Sequence, residues 1–355
     1  MKHRNVALAT LLAAALFAGW VLLYPSPITA YAYTPSQALP FEGVLAVNDK
    51  LRSATLIPLP QGLRGGEDVA IDQRGCVHTG TDNGDILRQC PDSGWETLAN
   101  TGGRPLGLAF DSEENLIIAD AEKGLLLLDP ALTLQTLVDQ FDGKPLGLAD
   151  DLDIADDGTI YFSDATLYFE LDQGNFEGLS GNPSGRLFSF YPKEKTLSLL
   201  ADNLYFANGV AVSKDQQFVL VNESYGYRTM RVWLTPERYG QTEIFSEKFP
   251  GFPDGIATAD DGTFWLTFYL PRSEVLDLIH TMPFIKELAA KLPQWTVPRP
   301  THYGLIAQLN QNGEIIQSFH DETAQTLGGI TSVQPEKDKL YIGTLEGPNI
   351  ASLSY

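Results

Sequence analysis

Six copies of one short unit recur along the chain and restrict what it can fold into. The unit is a polar residue, a short strand, an Asp-rich turn, then a β-branched and aromatic strand. It is clearest in ADDLDIADDGTIYFSDAT, residues 149–166, where Asp156-Asp157-Gly158 separates two apolar-alternating runs, a β-hairpin signal. The copies are Glu67–Gly80, Leu106–Ala121, Asp150–Ala165, Asn208–Ser224, Asp254–Phe268 and Ile330–Thr344, with starts spaced 39, 44, 58, 46 and 76 residues apart. Hairpins repeated on this scale predict an all-β, six-bladed β-propeller with one four-stranded sheet per copy. A sandwich or barrel also strings strands on turns, but it does not require six alignable hairpins.

In a propeller the innermost strand of every blade lines a central channel. The residue leading into each such strand then points at a shared axis. These residues are Glu67, Leu106, Asp150, Asn208, Asp254 and Ile330, and four of the six carry oxygen donors. Glu67, Asp150, Asn208 and Asp254 would form an all-oxygen set with three negative charges, which repel unless a cation lies between them. Ca²⁺ fits such a set; Mg²⁺ wants stricter geometry, and Zn²⁺ recruits His or Cys, absent from these positions. Asp68 and Asp151 follow two of the four. By strand alternation they would face a second, deeper cation or serve as turn acceptors.

The ends and composition set the surroundings. Residues 1–24 are Lys2, His3 and Arg4 followed by an apolar run from Val6 to Tyr24, long enough for a signal anchor and transmembrane helix. Ala30-Tyr31-Ala32 offers the alternative of a cleaved signal peptide and a secreted product. Positive-inside logic places the N-terminus in the cytoplasm and the propeller on the extracytoplasmic side. Residues 25–40 read as a tether, and 41–355 as the propeller. A net charge of -21 argues against nucleic acid and anionic headgroups as partners. Cys76 and Cys90 flank the turn Asp82-Asn83-Gly84 symmetrically, so a hairpin centred there would set them face to face as a disulfide; two buried thiols are the alternative. Asn222-Glu223-Ser224 is a glycosylation sequon that also fits a blade strand. Helical spacing of apolar residues over about 272–292 predicts a short helical insertion that packs on the blades, caps the channel or rests on the membrane.

Three segments carry a family resemblance: Gly185–Ser224, Phe249–Phe268 and Gly102–Asp111, with their Asn-Gly-Val and Pro-Asp-Gly motifs. From about Glu67 to the C-terminus the chain resembles the strictosidine synthase-like branch of the regucalcin/gluconolactonase superfamily, within it the adipocyte plasma-membrane-associated group. The resemblance implies a six-bladed propeller, an N-terminal membrane anchor and a calcium-dependent site hydrolysing lactones and aryl esters. It maps calcium ligands onto Glu67, Asn208 and Asp254, with Asp150 standing where these families usually have Asn. Strictosidine synthases proper use a glutamate near the start of the last blade, where this chain has Thr331, which disfavours amine–aldehyde condensation. Paraoxonases have a His before the Gly of the second blade, and this chain has Leu106-Gly107. Ester or lactone hydrolysis is therefore expected to use a carboxylate as base, Asp254 first and Asp150 second, with His302 and His78 as further candidates. A binding or scaffold propeller with structural calcium is the alternative.

Overall fold

The computed structural model describes residues 5, 12, 19, 20, 23–293 and 302–355. The chain divides into two compact units: residues 36–172, 183–272 and 301–355 in one, residues 1–35, 173–182 and 273–300 in the other.

The larger unit is the propeller, with six four-stranded antiparallel sheets. Blade one runs Val69–Ile71, Val77–Gly80, Asp85–Gln89 and Trp95–Asn100; blade two Pro105–Phe110, Leu116–Asp120, Gly124–Leu128 and Leu134–Val138. Blade three is Ala149–Ile154, Ile160–Asp164, Gly185–Tyr191 and Thr196–Leu204; blade four Ala207–Val212, Phe218–Glu223, Arg228–Trp233 and Thr242–Glu247. Blade five is Gly251–Thr258, Phe264–Pro271, Gly304–Leu309 and Ile315–Asp321. Blade six takes Ile330–Glu336, Lys339–Thr344 and Asn349–Ser354 from the C-terminus, and its fourth strand, Thr55–Pro58, from before blade one. The ring thus closes by hydrogen-bonding the two ends of the domain, with Thr55 opposite Ser352 and Pro58 opposite Asn349. Thr55–Pro58 covers the edge of Asn349–Ser354 and becomes the short outer edge of the blade in its place.

The core lies between successive blades, as alternation demands of strands apolar on both faces. Ile117, Ala119 and Leu125 of blade two meet Leu152, Ile160 and Phe162 of blade three; Leu220 of blade four meets Leu266 and Phe268 of blade five. The Asp-Gly turns form as expected, with Gly158 at φ +88° and Gly262 at φ +79°.

The disulfide between Cys76 and Cys90 is present, set by the pairing of Val77 with Gln89 one residue inside it. Asn222 is wholly buried in a blade-four strand, so the sequon is structural, closed to glycosylation.

The smaller unit holds the expected insertion as two helices, Glu274–Ile279 and Pro283–Ala290. It also holds a helix not anticipated, Gly174–Ser180, which accounts for the long interval between the third and fourth repeats. The stretch expected as a tether is partly tied down: Tyr31 N–H donates to the Ser180 carbonyl at 2.8 Å and Tyr33 N–H to the His280 carbonyl at 3.0 Å. The proposed anchor, residues 6–24, falls mostly outside the described residues. Among the described residues no helix is long and apolar enough to cross a membrane.

Candidate metal and active site

Five of the six innermost strands share a local irregularity at their leading ends. Pairing with the second strand slips between Pro105 and Gly107, Ala149 and Leu152, Ala207 and Val210, Pro253 and Ile256, and Ile330 and Ser332. A β-bulge re-aims the side chain it carries. The first residues inside these bulges are Leu106, Asp150, Asn208, Asp254 and Thr331, and Glu67 leads blade one. The sixth position is therefore Thr331. Ile330, expected there from the repeat, is one residue earlier and fully buried in the core beside Val333; an unseen bulge shifted the phase.

Glu67, Asp150, Asn208 and Asp254 are all buried, and their charges act on one another. Burial raises the Glu67 carboxyl well above its ordinary range, and Asp150, Asp254 and Asp68 push it further. Burial and then Asp150 raise Asp254, which the Asn208 amide partly relieves by hydrogen bonding. Asp150 is pushed up to about 7 by burial and by Asp164. Three buried carboxylates with an amide beside them make a hard, all-oxygen donor set in need of positive charge. In donor chemistry they fit Ca²⁺. Among the described residues no three Asp, Glu, His or Cys side chains are gathered closely enough to hold a metal as they stand, so a closed shell requires these side chains to adjust.

Asp68 and Asp151 behave as staples between blades. Asp68 Oδ1 accepts from Val69 N–H at 2.7 Å and Oδ2 from Leu108 N–H of blade two at 2.8 Å. Asp151 Oδ1 accepts from Leu152 N–H and Oδ2 from Val210 N–H of blade four, both at 2.8 Å. Asp153 repeats the pattern two residues on, with Ile154 and Val212. These bonds to backbone amides occupy both oxygens of each half-buried carboxylate.

A ring of small polar residues on the second strands holds the bulged backbone. Asn222 Nδ2 donates to the Asp254 carbonyl at 2.6 Å, and its Oδ1 accepts from Thr229 at 2.6 Å. Ser224 Oγ donates to the Pro253 carbonyl, Thr79 Oγ1 to that of Asp68 and Thr267 Oγ1 to that of Thr331. Thr331 Oγ1 is itself spent on the Glu67 carbonyl at 2.8 Å. Sequence reasoning missed this ring, although Thr79, Ser163, Asn222 and Thr267 recur at one phase of the second strand and would have marked it. It also missed Arg104 and Tyr269. Arg104 is buried, donates to the carbonyls of Gly65 and Leu345 at 3.0 and 3.1 Å, and its charge partly offsets the rise at Glu67. Tyr269, half-buried, has its phenol pushed up to about 12 by burial and by the charges of Glu346 and Asp254.

Neither candidate histidine joins the set. His302 is exposed. His78 is buried against Phe110, with Nδ1 3.2 Å from the Cys76 carbonyl, and burial depresses it to about 4. Its charge does not figure among those acting on Glu67, Asp150 or Asp254.

Comparison with known proteins agrees with this architecture. Residues 150–237 match the strictosidine synthase family and residues 43–89 the strictosidine synthase-like N-terminal family. Strictosidine synthase-like protein 6 of Arabidopsis thaliana is 32% identical over 300 residues, covering 84% of this chain and 79% of that protein. The adipocyte plasma membrane-associated protein of Rattus norvegicus is 30% identical over 360 residues, covering 95% of each. Among solved structures, a gluconolactonase from Xanthomonas campestris superposes with a TM-score of 0.63 at 18% identity, over 94% of this chain and 99% of that one. Regucalcin from Agrobacterium tumefaciens, described as a calcium-binding protein, superposes with a TM-score of 0.59 at 15% identity, over 84% and 90%. On identity and coverage together, the chain belongs to the strictosidine synthase-like family.

Proposed function

We propose that this protein is a membrane-tethered, calcium-dependent hydrolase of the lactonase or arylesterase type. The observation that carries the reading is the placement of Glu67, Asp150, Asn208 and Asp254, all buried, at the leading ends of the innermost strands of four blades, where the three carboxylates raise one another. Ca²⁺ held by these four would polarise a substrate carbonyl and stabilise the oxyanion that develops on attack by water.

The remaining work falls to the chain's own groups. Asp254 is the first choice to accept the proton of the attacking water, because Asn208 already orients its carboxylate and Asn222 fixes its backbone. Asp150 is the alternate. Tyr269, whose phenol feels the charge of Asp254, offers a hydroxyl for orienting the substrate's leaving oxygen. Condensation of an amine with an aldehyde is disfavoured, since Thr331 carries no acid and its hydroxyl is already engaged.

A non-catalytic scaffold with structural calcium is the second reading. It is favoured by Leu106, an apolar residue where a water-activating imidazole would serve, and by the distance of His78 and His302 from the carboxylates' chemistry. Turnover separates the two. Residues 25–355, which retain the hydrogen-bonded Ser26–Tyr33 stretch, are assayed on phenyl acetate and a lactone panel with and without chelator. Calcium-dependent hydrolysis abolished by Asp254→Asn supports the enzyme; calcium-dependent melting with no turnover on any substrate supports the scaffold.

A further inference from the structure

The smaller unit presents an apolar surface that its own packing does not use. Val275, Leu278 and Phe284 are 68%, 65% and 62% exposed, and Met282 and Ile285 are also exposed. Val275 and Leu278 lie three apart on one face of the helix Glu274–Ile279, and Met282, Phe284 and Ile285 follow at the start of the helix Pro283–Ala290, so the exposed apolar stripe passes from one helix through the turn into the next. The opposite side is committed inward. Lys286 is wholly buried, its Nζ donating to the carbonyls of Tyr31 at 2.5 Å and Ser180 at 3.3 Å, and Ala290 is buried with it. Five large apolar side chains left facing water mark an interaction surface.

The path of the chain identifies the occupant. The apolar run of the sequence ends at Tyr24. Two residues later Ser26 Oγ donates to the Glu287 carbonyl at 3.4 Å, and Ala30 N–H donates to the Glu287 carboxylate at 3.3 Å. Two extended residues span only about 7 Å. A run that enters a bilayer therefore brings the helix Pro283–Ala290 to headgroup level, where an interfacial helix buries its apolar face about 5–10 Å deep. The geometry points to a lipid surface as the partner: the two helices form an interfacial platform, a second membrane contact beside the N-terminal run. With a net charge of -21 on the protein, the matching lipid is zwitterionic, and the contact is apolar, insensitive to salt. This inference rests on the membrane-tethered part of the proposed function and is independent of the hydrolase chemistry.

The test uses the full chain in phosphatidylcholine vesicles. The chain's two cysteines are joined to each other, so Phe284→Cys or, separately, Leu278→Cys supplies a single thiol for an environment-sensitive fluorophore. Leu199→Cys, exposed on an outer strand of blade three, is the control. Nitroxide lipids should quench the label at 284 and at 278 about twofold or more, leave that at 199 unchanged, and do so equally at low and high salt. A chain that floats with the vesicles while aqueous iodide, and not lipid nitroxide, quenches both labels overturns the platform and leaves the anchor standing. Labels shielded from both quenchers would mean that a second protein surface covers the stripe, which also overturns it. A chain that fails to float removes platform and anchor together.

Discussion

Asn222 shows how much of this site is held by residues that never reach its centre. Its side chain bridges the Asp254 carbonyl and the Thr229 hydroxyl at 2.6 Å each, wholly out of solvent. Asn222→Ala leaves both partners buried and unsatisfied, and should cost roughly 2–3 kcal/mol. The expected result is a lower urea midpoint at unchanged slope, with weaker calcium binding by calorimetry. An unchanged calcium isotherm would show that the Asp254 backbone needs no such brace. Close approach at Gly209, the residue after Asn208, is as strict. A Cβ on Gly209 would sit 2.3 Å from the Asp254 carbonyl oxygen and 2.6 Å from the Ile256 nitrogen, and both are backbone atoms with no rotamer to yield. Gly209→Ala should thus shift blade five against blade four, costing about 1–3 kcal/mol on the scale of overpacked cores. The Asn-Gly and Asp-Gly pairs join a donor side chain to the missing Cβ that lets the next blade come close.

At the scale of elements, the hairpin of blade one is pinned by its disulfide. Cys76 and Cys90 are 14 residues apart, and closing a loop of that size stabilises by about 3 kcal/mol in the chain-entropy account. Reduction should lower the melting temperature by several degrees, and Cys76→Ser with Cys90→Ser should reproduce the loss; an unchanged melt would mean that the flanking strands alone fix the hairpin. The hairpins were legible because alternation and Asp-Gly turns are local, and the positions of Glu67, Asp150, Asn208 and Asp254 at the strand entries were legible because each hairpin carried its polar residue at one phase. The bulges were not. A bulge is a property of two strands in register, so the sequence of one strand placed Ile330 where Thr331 belongs. Asp68 and Asp151 are acceptors, one of the two roles their position allowed, but one strand alone does not show that Leu108 and Val210, the partners, are backbone amides on another blade. The helix Gly174–Ser180, only two turns long and containing two glycines, was too short for its periodicity to rise above the strands around it.

The whole molecule depends on closing the ring, and on histidines that fold neutral. His78 and His320 are both buried and both depressed to about 4, burial being the first cause, with Lys50 adding to it at His320. The unfolded chain binds these protons near pH 6.5 and the folded one only near pH 4. The histidines' own contribution is therefore full above about pH 6.5 and falls as pH drops toward 4, by roughly 3 kcal/mol per histidine, while the raised carboxyls of Asp150 and Asp153 contribute in the opposite sense over the same range. Urea midpoints of the parent chain and of His78→Gln with His320→Gln, compared between pH 7 and pH 4.5, check this: the parent should lose stability relative to the variant as pH falls, and a constant difference would sink the account. Ring closure calls for a different test. Thr55–Pro58 is the fourth strand of blade six, and its loss would bare the edge Asn349–Ser354, where Ile350, Ala351 and Leu353 are buried. A chain beginning at Ser36 keeps this strand, and one beginning at Pro60 lacks it together with the buried Leu51 and Leu59. The longer chain should stay monomeric. The shorter one should melt earlier and self-associate with concentration, because an unpaired strand edge is a template for another chain. A synthetic peptide spanning residues 49–60 should suppress that association by refilling the edge. Equal melting and equal light scattering for the two truncations would mean that three strands suffice in blade six and that closure lies elsewhere.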